Sequence, residues 1–323
     1  MTVALVSTVR NPGPSIGSFV RHHLDRGVAT IYLVFDDPED PWMASVPPDD
    51  RVQVLPCDDD LRACWADWPE MRGMTADHVM ARQVLNAELV LQLARSAGSS
   101  WLIHLDADEL LAPVDGTIHG FLAGLGPEVD HVTFLNLEVV PETEDIGDYF
   151  REMTLFKRSP YLLPEPRTVS QRALIERLPQ LPARWFFYYT IGKSAVRVRP
   201  GVRPDGVHRF RHPDRSSRAV VVAAPRVLHY MNAGFENFWR RYQTWGQFPD
   251  RWFGGERISD RIGGFHLDAR DVVATGDRAA ARQFYRERVV IDNPATIAAL
   301  IESGLCERID PWASGAARPP GMQ

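Results

Sequence analysis

Two carboxylates one residue apart, Asp106 and Asp108, follow directly on the apolar run at 101–105. A carboxylate pair at i and i+2 just past a buried strand can turn one or both side chains into the same crevice. Hard divalent cations such as Mg2+ or Mn2+ take oxygen ligands from one or two carboxylates while phosphates fill the remaining positions. A cation held this way acts as a Lewis acid and neutralises charge developing on a phosphate leaving group. Alone, D-x-D is a weak signal, because acidic turns after strands are common and most are simply solvated. The setting strengthens it: the run reads WLIHLDADELL, and a second apolar run, Thr30–Phe35, also ends in acids, Asp36 and Asp37. Glu109, in the same turn, reads as a solvated acid in preference to a group behind the ligands.

These acids need a sheet on which to converge. Val3–Val9 is a β-rich run broken by Asn11, Pro12, Gly13 and Pro14, after which Ile16, Phe19, Val20 and Leu24 recur at helical spacing up to Gly27. Thr30–Phe35 reads as a buried parallel strand, and 52–55 as a third short strand. From 75 to 97, Met80, Val84, Ala87, Leu91 and Ala94 form one helical stripe that Gly98 stops. The fourth strand is 101–105 and a fifth is expected at 131–137. Strands alternating with helices imply an α/β fold with a mostly parallel sheet flanked by helices, whose ligands bind beyond the carboxyl ends of the strands. Asp36, Asp37, Asp106 and Asp108 fall there by construction. Later signals are strands at 196–198 and 219–222, an amphipathic helix through Phe235, Phe238, Trp239 and Tyr242 closed by Gly246, helices at 278–290 and 294–303, and a mobile tail. The division expected is a catalytic domain over 1–245 and a helical C-terminal extension over 246–323.

The 323 residues are 45% hydrophobic and 24% charged, which is ample for a core and carries no disorder signature. A net charge of −6 argues against a broad nucleic-acid surface, so any anionic ligand must be bound locally. Cys57, Cys64 and Cys306 have neither zinc-site spacing nor an even count, which fits reduced thiols and a cytoplasmic setting. The N-terminal segment lacks a basic n-region and reads as a strand, not a leader, and no window reaches the ~20 apolar residues of a membrane helix.

With those motifs in view, the chain resembles the GT-A glycosyltransferases, in particular bacterial relatives of family 2. The resemblance rests on WLIHLDADELL and on VSTVRNPGPSIGSFVRHHLDRGVATIYLVFDD, and more faintly on GKSAVRV, GVHRF and VLHYMNAGFENFWRR. It covers roughly residues 1–245. It implies a GT-A, Rossmann-like fold and an enzyme that moves a sugar from a nucleoside-diphosphate sugar to a saccharide or small-molecule hydroxyl, by inversion, with Mn2+ or Mg2+. Thr8, Arg10 and Asn11 would then lie near base and ribose, Asp36 on the base or ribose, and Arg82 on nucleotide or diphosphate. Asp106 and Asp108 would hold ribose and metal, Asp108 being the stronger ligand, and His229 would complete the metal site. Lys193 is placed at the diphosphate. For each there is a plainer reading: ion-paired surface cations for Arg10 and Arg82, a solvated lysine for Lys193, and a core histidine for His229.

An inverting transfer also needs a carboxylate to take the acceptor's proton. Glu138, Glu142, Glu144 and Asp145 cluster after the expected fifth strand. Glu138, at the strand's end, is the preferred base, although the acidic pair usual in family 2 is matched only by Glu144 and Asp145 and lies closer to Asp108 than that pattern implies. His208 and His212 have an H-x-x-x-H spacing, but the Pro- and Gly-rich surroundings read as a loop and not as a zinc-binding helix. The rival readings are a nucleotidyltransferase, which would want a Gly-rich basic loop where TVRNPGPSIG stands, a haloacid-dehalogenase-type phosphatase, which would want its aspartate pair near the N-terminus, and a catalytically inactive carbohydrate-binding relative.

Overall fold

The computed structural model describes residues 1–313 except 113–115, 164, 179–185, 187, 214–217, 246–249, 252–254 and 260–262. With helices of nine or more residues numbered, the first half runs β1 (Val3–Val9), α1 (Ile16–Asp25), β2 (Thr30–Phe35), β3 (Val52–Pro56), α2 (Val79–Ser96), β4 (Trp101–His104), β5 (Glu109–Ala112) and β6 (Val129–Val139). Next come β7 (Leu155–Lys157), α3 (Val169–Arg177), β8 (Lys193–Arg197), β9 (Arg203–Asp205), β10 (Arg209–Arg211) and β11 (Arg218–His229). Helices α4 (Phe235–Trp245), α5 (Gly264–Ala274), α6 (Arg278–Arg288) and α7 (Pro294–Glu302) precede β12 (Cys306–Arg308).

The described chain divides into two compact units that interleave along the sequence: Met1–Leu135 with Ile191–Val227 and the segment from Trp312, and Asn136–Thr190 with Leu228–Pro311. In the first unit the strand order is β6-β8-β4-β1-β2-β3, and β11 pairs with β5 and β6. β1, β2, β3 and β4 are parallel, with Ala4 opposite Thr30, Val3 opposite Trp101 and Ile31 opposite Val52. β8 then runs antiparallel to β4 and β6. This is the α/β, GT-A-like sheet flanked by helices that the alternation and the resemblance imply. Every residue of β1 and β4 is buried, which explains why these segments are continuously apolar and do not alternate. Val84, Ala87, Leu91 and Ala94 of α2 are buried, the last three in the cluster that includes Ala4, Tyr32 and Leu102. The helix begins at Val79, not at Thr75, because Arg82 reaches back to the Thr75 carbonyl and holds that segment in a turn.

In the second unit β6 ends against β7, with Glu138 opposite Lys157, and β12 runs antiparallel to β7. One apolar cluster includes Leu155, Ile175, Ile291 and Leu300, and another joins α4, α5 and α6 through Phe235, Phe238, Tyr242, Phe265 and Tyr285. The strand expected at 131–137 is the sixth in order, because Glu109–Ala112 forms a strand of its own. The expected helix stop at Gly246 and the tail from Ser314 onward lie outside the described residues. Among the described residues no helix is long and apolar enough to cross a membrane.

Candidate functional site

The site in the first unit is built at the carboxyl ends of β1, β2 and β4. Near the end of β1, Thr8 is buried and its Oγ1 accepts from Asn86 Nδ2 at 3.2 Å. Asn11 has φ 48°, a left-handed conformation that asparagine tolerates, and its side-chain oxygen accepts from the Trp42 indole at 3.1 Å. Beyond β2, Asp36 is buried and clamped by Arg82, whose Nε lies 2.5 Å from Oδ1 and whose Nη2 lies 2.8 Å from Oδ2, with Arg10 3.4 Å from Oδ2. A two-point guanidinium–carboxylate fork of this kind fixes both planes. Around it lies a cavity of about 470 Å3 whose lining includes Arg10, Asp37, Arg62, Trp65 and Arg82. Asn86, fully buried on α2, ties the wall together, because its Oδ1 also accepts from the Trp65 indole at 2.8 Å.

Beyond β4, the turn Asp106–Glu109 is braced from below. Glu109 Oε2 accepts the Asp106 N–H at 2.8 Å, and Gln83 Nε2 donates to Asp106 Oδ1 at 3.2 Å. Lys193 opens β8 with no exposed side-chain surface. Its Nζ stands 2.8 Å from Asp106 Oδ2 and 3.8 Å from Glu109 Oε2, and it donates to the Val207 carbonyl at 3.3 Å. Gly192 makes this approach possible: at φ 73°, a Cβ there would lie 2.1 Å from the Phe134 carbonyl oxygen. Burial works against the charge of Asp106, but the Lys193 ammonium overrides it and holds the carboxyl well below the usual carboxylate range. Burial would likewise pull Lys193 down, yet Asp106, then Glu109 and Asp108, keep its pKa above the ordinary lysine value. His104, buried, and His208, partly buried, are each pushed down to about 3, first by desolvation and then by Lys193, so both rings are neutral at neutral pH. Asp106, Asp108 and Glu109 thus gather around the one lysine, with the two histidines beside it. Asp108 itself is only 7% exposed.

The first unit thus brings together Arg10, Asp36 and Arg82 at the cavity, with Thr8 bonded to Asn86 and not in its lining, and Asp106, Asp108 and Lys193 at the turn. Asn11 faces the loop of Trp42. Lys193 is buried among carboxylates, not solvated. The sequence reading missed Arg62, Trp65 and Gln83, and took Glu109 for a solvated acid where it is a fully buried brace. Gln83 and Asn86 flank the apolar stripe of α2, and a polar pair beside such a stripe is the signal that could have found them.

Glu138 and His229 belong to the second unit. Glu138 is buried, its Oε2 3.5 Å from Lys157 Nζ and its Oε1 accepting the Tyr188 N–H at 2.8 Å. Burial first, and against it Glu138, sets the Lys157 pKa below its ordinary value. Glu142 is paired with Arg308, and Glu144 and Asp145 with Arg282. The buried His229 ring packs 5.0 Å from Tyr189 and 5.5 Å from Tyr188, centroid to centroid. Among the described residues no group of three or more His, Cys, Asp or Glu side chains is placed to hold a metal ion.

No protein-family model matches the chain. Two Arabidopsis thaliana proteins, both described as glycosyltransferase-like, are similar to it, one 31% identical over 239 residues and the other 30% identical over 241. Each alignment takes in 72% of this chain, against 51% and 44% of the relatives, so the chain spans about half the length of the curated relatives it matches. Neither is bacterial. Partial superpositions include the mannosyltransferase Ktr4p of S. cerevisiae, at 14% identity over 44% of this chain and 41% of that one with a TM-score of 0.28. The Mn/GDP form of Aspergillus fumigatus core-mannan synthase A gives 13% identity over 44% of each chain, also with a TM-score of 0.28.

Proposed function

We propose that this chain transfers a sugar from a nucleoside-diphosphate sugar to a hydroxyl group of a saccharide or small-molecule acceptor, in a single inverting displacement. The observation that carries the reading is a junction on α2. Arg82 closes the cavity over Asp36, and the next residue, Gln83, holds Asp106 of the acidic turn. A pocket of ligand size lined by guanidinium groups and an indole is thereby joined to a group of carboxylates by one turn of helix. The base and ribose would take the Trp65 side of the cavity, and the diphosphate would run toward the turn. Description of the plant relatives as glycosyltransferase-like supports the same reading.

The oxygen donors of the turn suit Mn2+ or Mg2+, with one restriction. Asp106 is committed to Lys193, and no ready group of three ligating side chains stands among the described residues. Asp108 would therefore hold the cation with the donor's own phosphate oxygens, an arrangement usual for Mg2+. The cation would supply Lewis-acid stabilisation of the leaving diphosphate. In this arrangement Asp106 backs the turn, and His229 is not called on as a ligand.

The test is thermal stabilisation by a panel of nucleoside diphosphates with Mn2+ and in EDTA. Binding at a hundredfold excess over Kd adds about 2.7 kcal/mol, a readily measured rise in Tm. A larger rise with Mn2+ is expected for the cognate nucleotide. An equal rise in EDTA removes the cation and leaves the donor site; no rise with any nucleotide overturns the reading.

For the base, Glu138 is the carboxylate put forward, and its ion pair sets a sharp expectation. Glu138→Gln leaves the Lys157 charge buried without its partner, which typically costs about 3–5 kcal/mol. A large fall in Tm is therefore expected along with any loss of turnover. If the variant melts like the wild type and binds nucleotide but does not turn over, Glu138 is the base.

A further inference from the structure

Directly after the acidic turn, β5 pairs in the sheet with β11, its one strand partner among the described residues. At Leu111 its other edge meets neither a strand nor solvent but two histidine rings of α1. His22 Nε2 lies 3.2 Å from the Leu111 carbonyl oxygen, and His23 Nε2 accepts the Leu111 N–H at 3.2 Å. The second nitrogen of His23, Nδ1, is 2.9 Å from the Phe19 carbonyl oxygen, one turn back on the same helix. A carbonyl only accepts, so these contacts dictate the protons: Nε2–H on His22 and Nδ1–H on His23. His22 and His23 stack edge to face, with centroids 5.2 Å apart, and His22 also meets the Trp312 ring edge-on at 5.2 Å. Both rings are buried.

We propose that His22 and His23 form a positioning pair that takes the place of the missing strand, pinning β5 at Leu111 and so holding Asp108 and Glu109 where the acidic turn needs them. The inference rests on the donor reading above for its function, but not for its geometry. The turn is anchored at its other end by the sheet, where Leu105 N–H donates to the Val6 carbonyl. Without a second anchor after Glu109, a four-residue strand with one neighbour would fray, and the carboxylates would move with it. Imidazole suits this position because a neutral ring offers one donor and one acceptor, the complement of a peptide edge. The arrangement requires His23 to stay neutral. Burial, and next the adjacent His22, hold its pKa well below the ordinary histidine value. Helix α1 follows the turn that carries Arg10 and Asn11, so one helix links the two halves of the proposed donor site.

The decisive measurement is the 15N chemical shift and two-bond coupling of both rings in the full chain, which report the tautomer directly. His23 should carry its proton on Nδ1 and His22 on Nε2, and His23 should remain neutral at pH 6. The opposite tautomer on His23, or an ordinary titration, overturns the proposal even if no variant folds. Hydrogen exchange adds the local readout. His23→Ala should speed exchange at Leu111 and across 106–109 by about tenfold while β1 and β2 amides keep their rates, and His23→Gln, which again offers an acceptor and a donor, should restore part of the protection. Unchanged exchange at 106–111 in His23→Ala also overturns it. Affinity for the cognate nucleoside diphosphate with Mn2+ should fall in His23→Ala and recover in His23→Gln. If the wild type binds no nucleotide, the donor reading fails, and tautomer and exchange still judge the clamp.

Discussion

Lys193→Met is expected to destabilise the protein by about 3–5 kcal/mol with no ligand present, seen as a lower midpoint in urea denaturation with an unchanged slope. The side chain has no exposed surface, and its ammonium is the one cation bonded to both Asp106 and Glu109 among the described contacts. Methionine has nearly the same shape, so the loss is one of charge and not of volume. Without the ammonium, two carboxylates held near each other by the turn would face mutual repulsion in a poorly solvated place, and Glu109, fully buried, has no route to water. A lysine that served only as a diphosphate ligand in an open cleft would behave in the opposite way, with stability kept and nucleotide affinity lost. Unchanged stability in Lys193→Met would therefore show that the ammonium is not the counter-charge of the turn.

That outcome bears on what could be read in the amino-acid sequence. The parallel block β1, β2, β3 and β4 was legible because strands buried on both faces leave unbroken apolar runs, and the acids after β2 and β4 stand at their ends. β5 was not, since Glu109 and the three apolar residues behind it read as the tail of the motif. β7 and β12, at three residues each, leave no period to detect. Helix α3 did leave a signal: Thr168 and Gln171 form a reciprocal capping box.

In the site, residues next to the predicted strand ends and Arg82 were found, and Arg62, Trp65 and Gln83 were not. Arg82 lies on a helix whose stripe fixes its direction toward Asp36. Arg62 and Trp65 line the same cavity only because of the path taken by the segment between β3 and α2, which no local pattern encodes. Glu138 was chosen for its place at the end of a strand. That it faces Lys157 follows from the register of β6 against β7, a long-range fact. Lys193 was seen as a cation near phosphates; its burial depends on Gly192 passing close to Phe134.

Asp108→Asn should reduce turnover by at least about a hundredfold and weaken cation-dependent nucleotide binding, while Tm without ligand stays level or rises. Asparagine is the variant to use, because Asp108 is 7% exposed and alanine would add a packing defect to the loss of charge. The sign of the stability effect follows from the charges around the turn. Asp106, Asp108 and Glu109 are three acids, Lys193 is one cation, and His104 and His208 are neutral at neutral pH. A divalent cation would bring further positive charge to these acids. Neutralising Asp108 removes one of the three acidic charges, so the ligand-free protein should lose repulsion. A residue whose removal lowers activity and does not lower stability is one kept for function. The measurement is paired: Tm in EDTA, and release of nucleoside diphosphate from the cognate sugar donor with Mn2+. Full turnover in Asp108→Asn would place the cation elsewhere. A marked fall in Tm would instead make Asp108 part of the scaffold of the turn, leaving the site without a carboxylate free of a structural role.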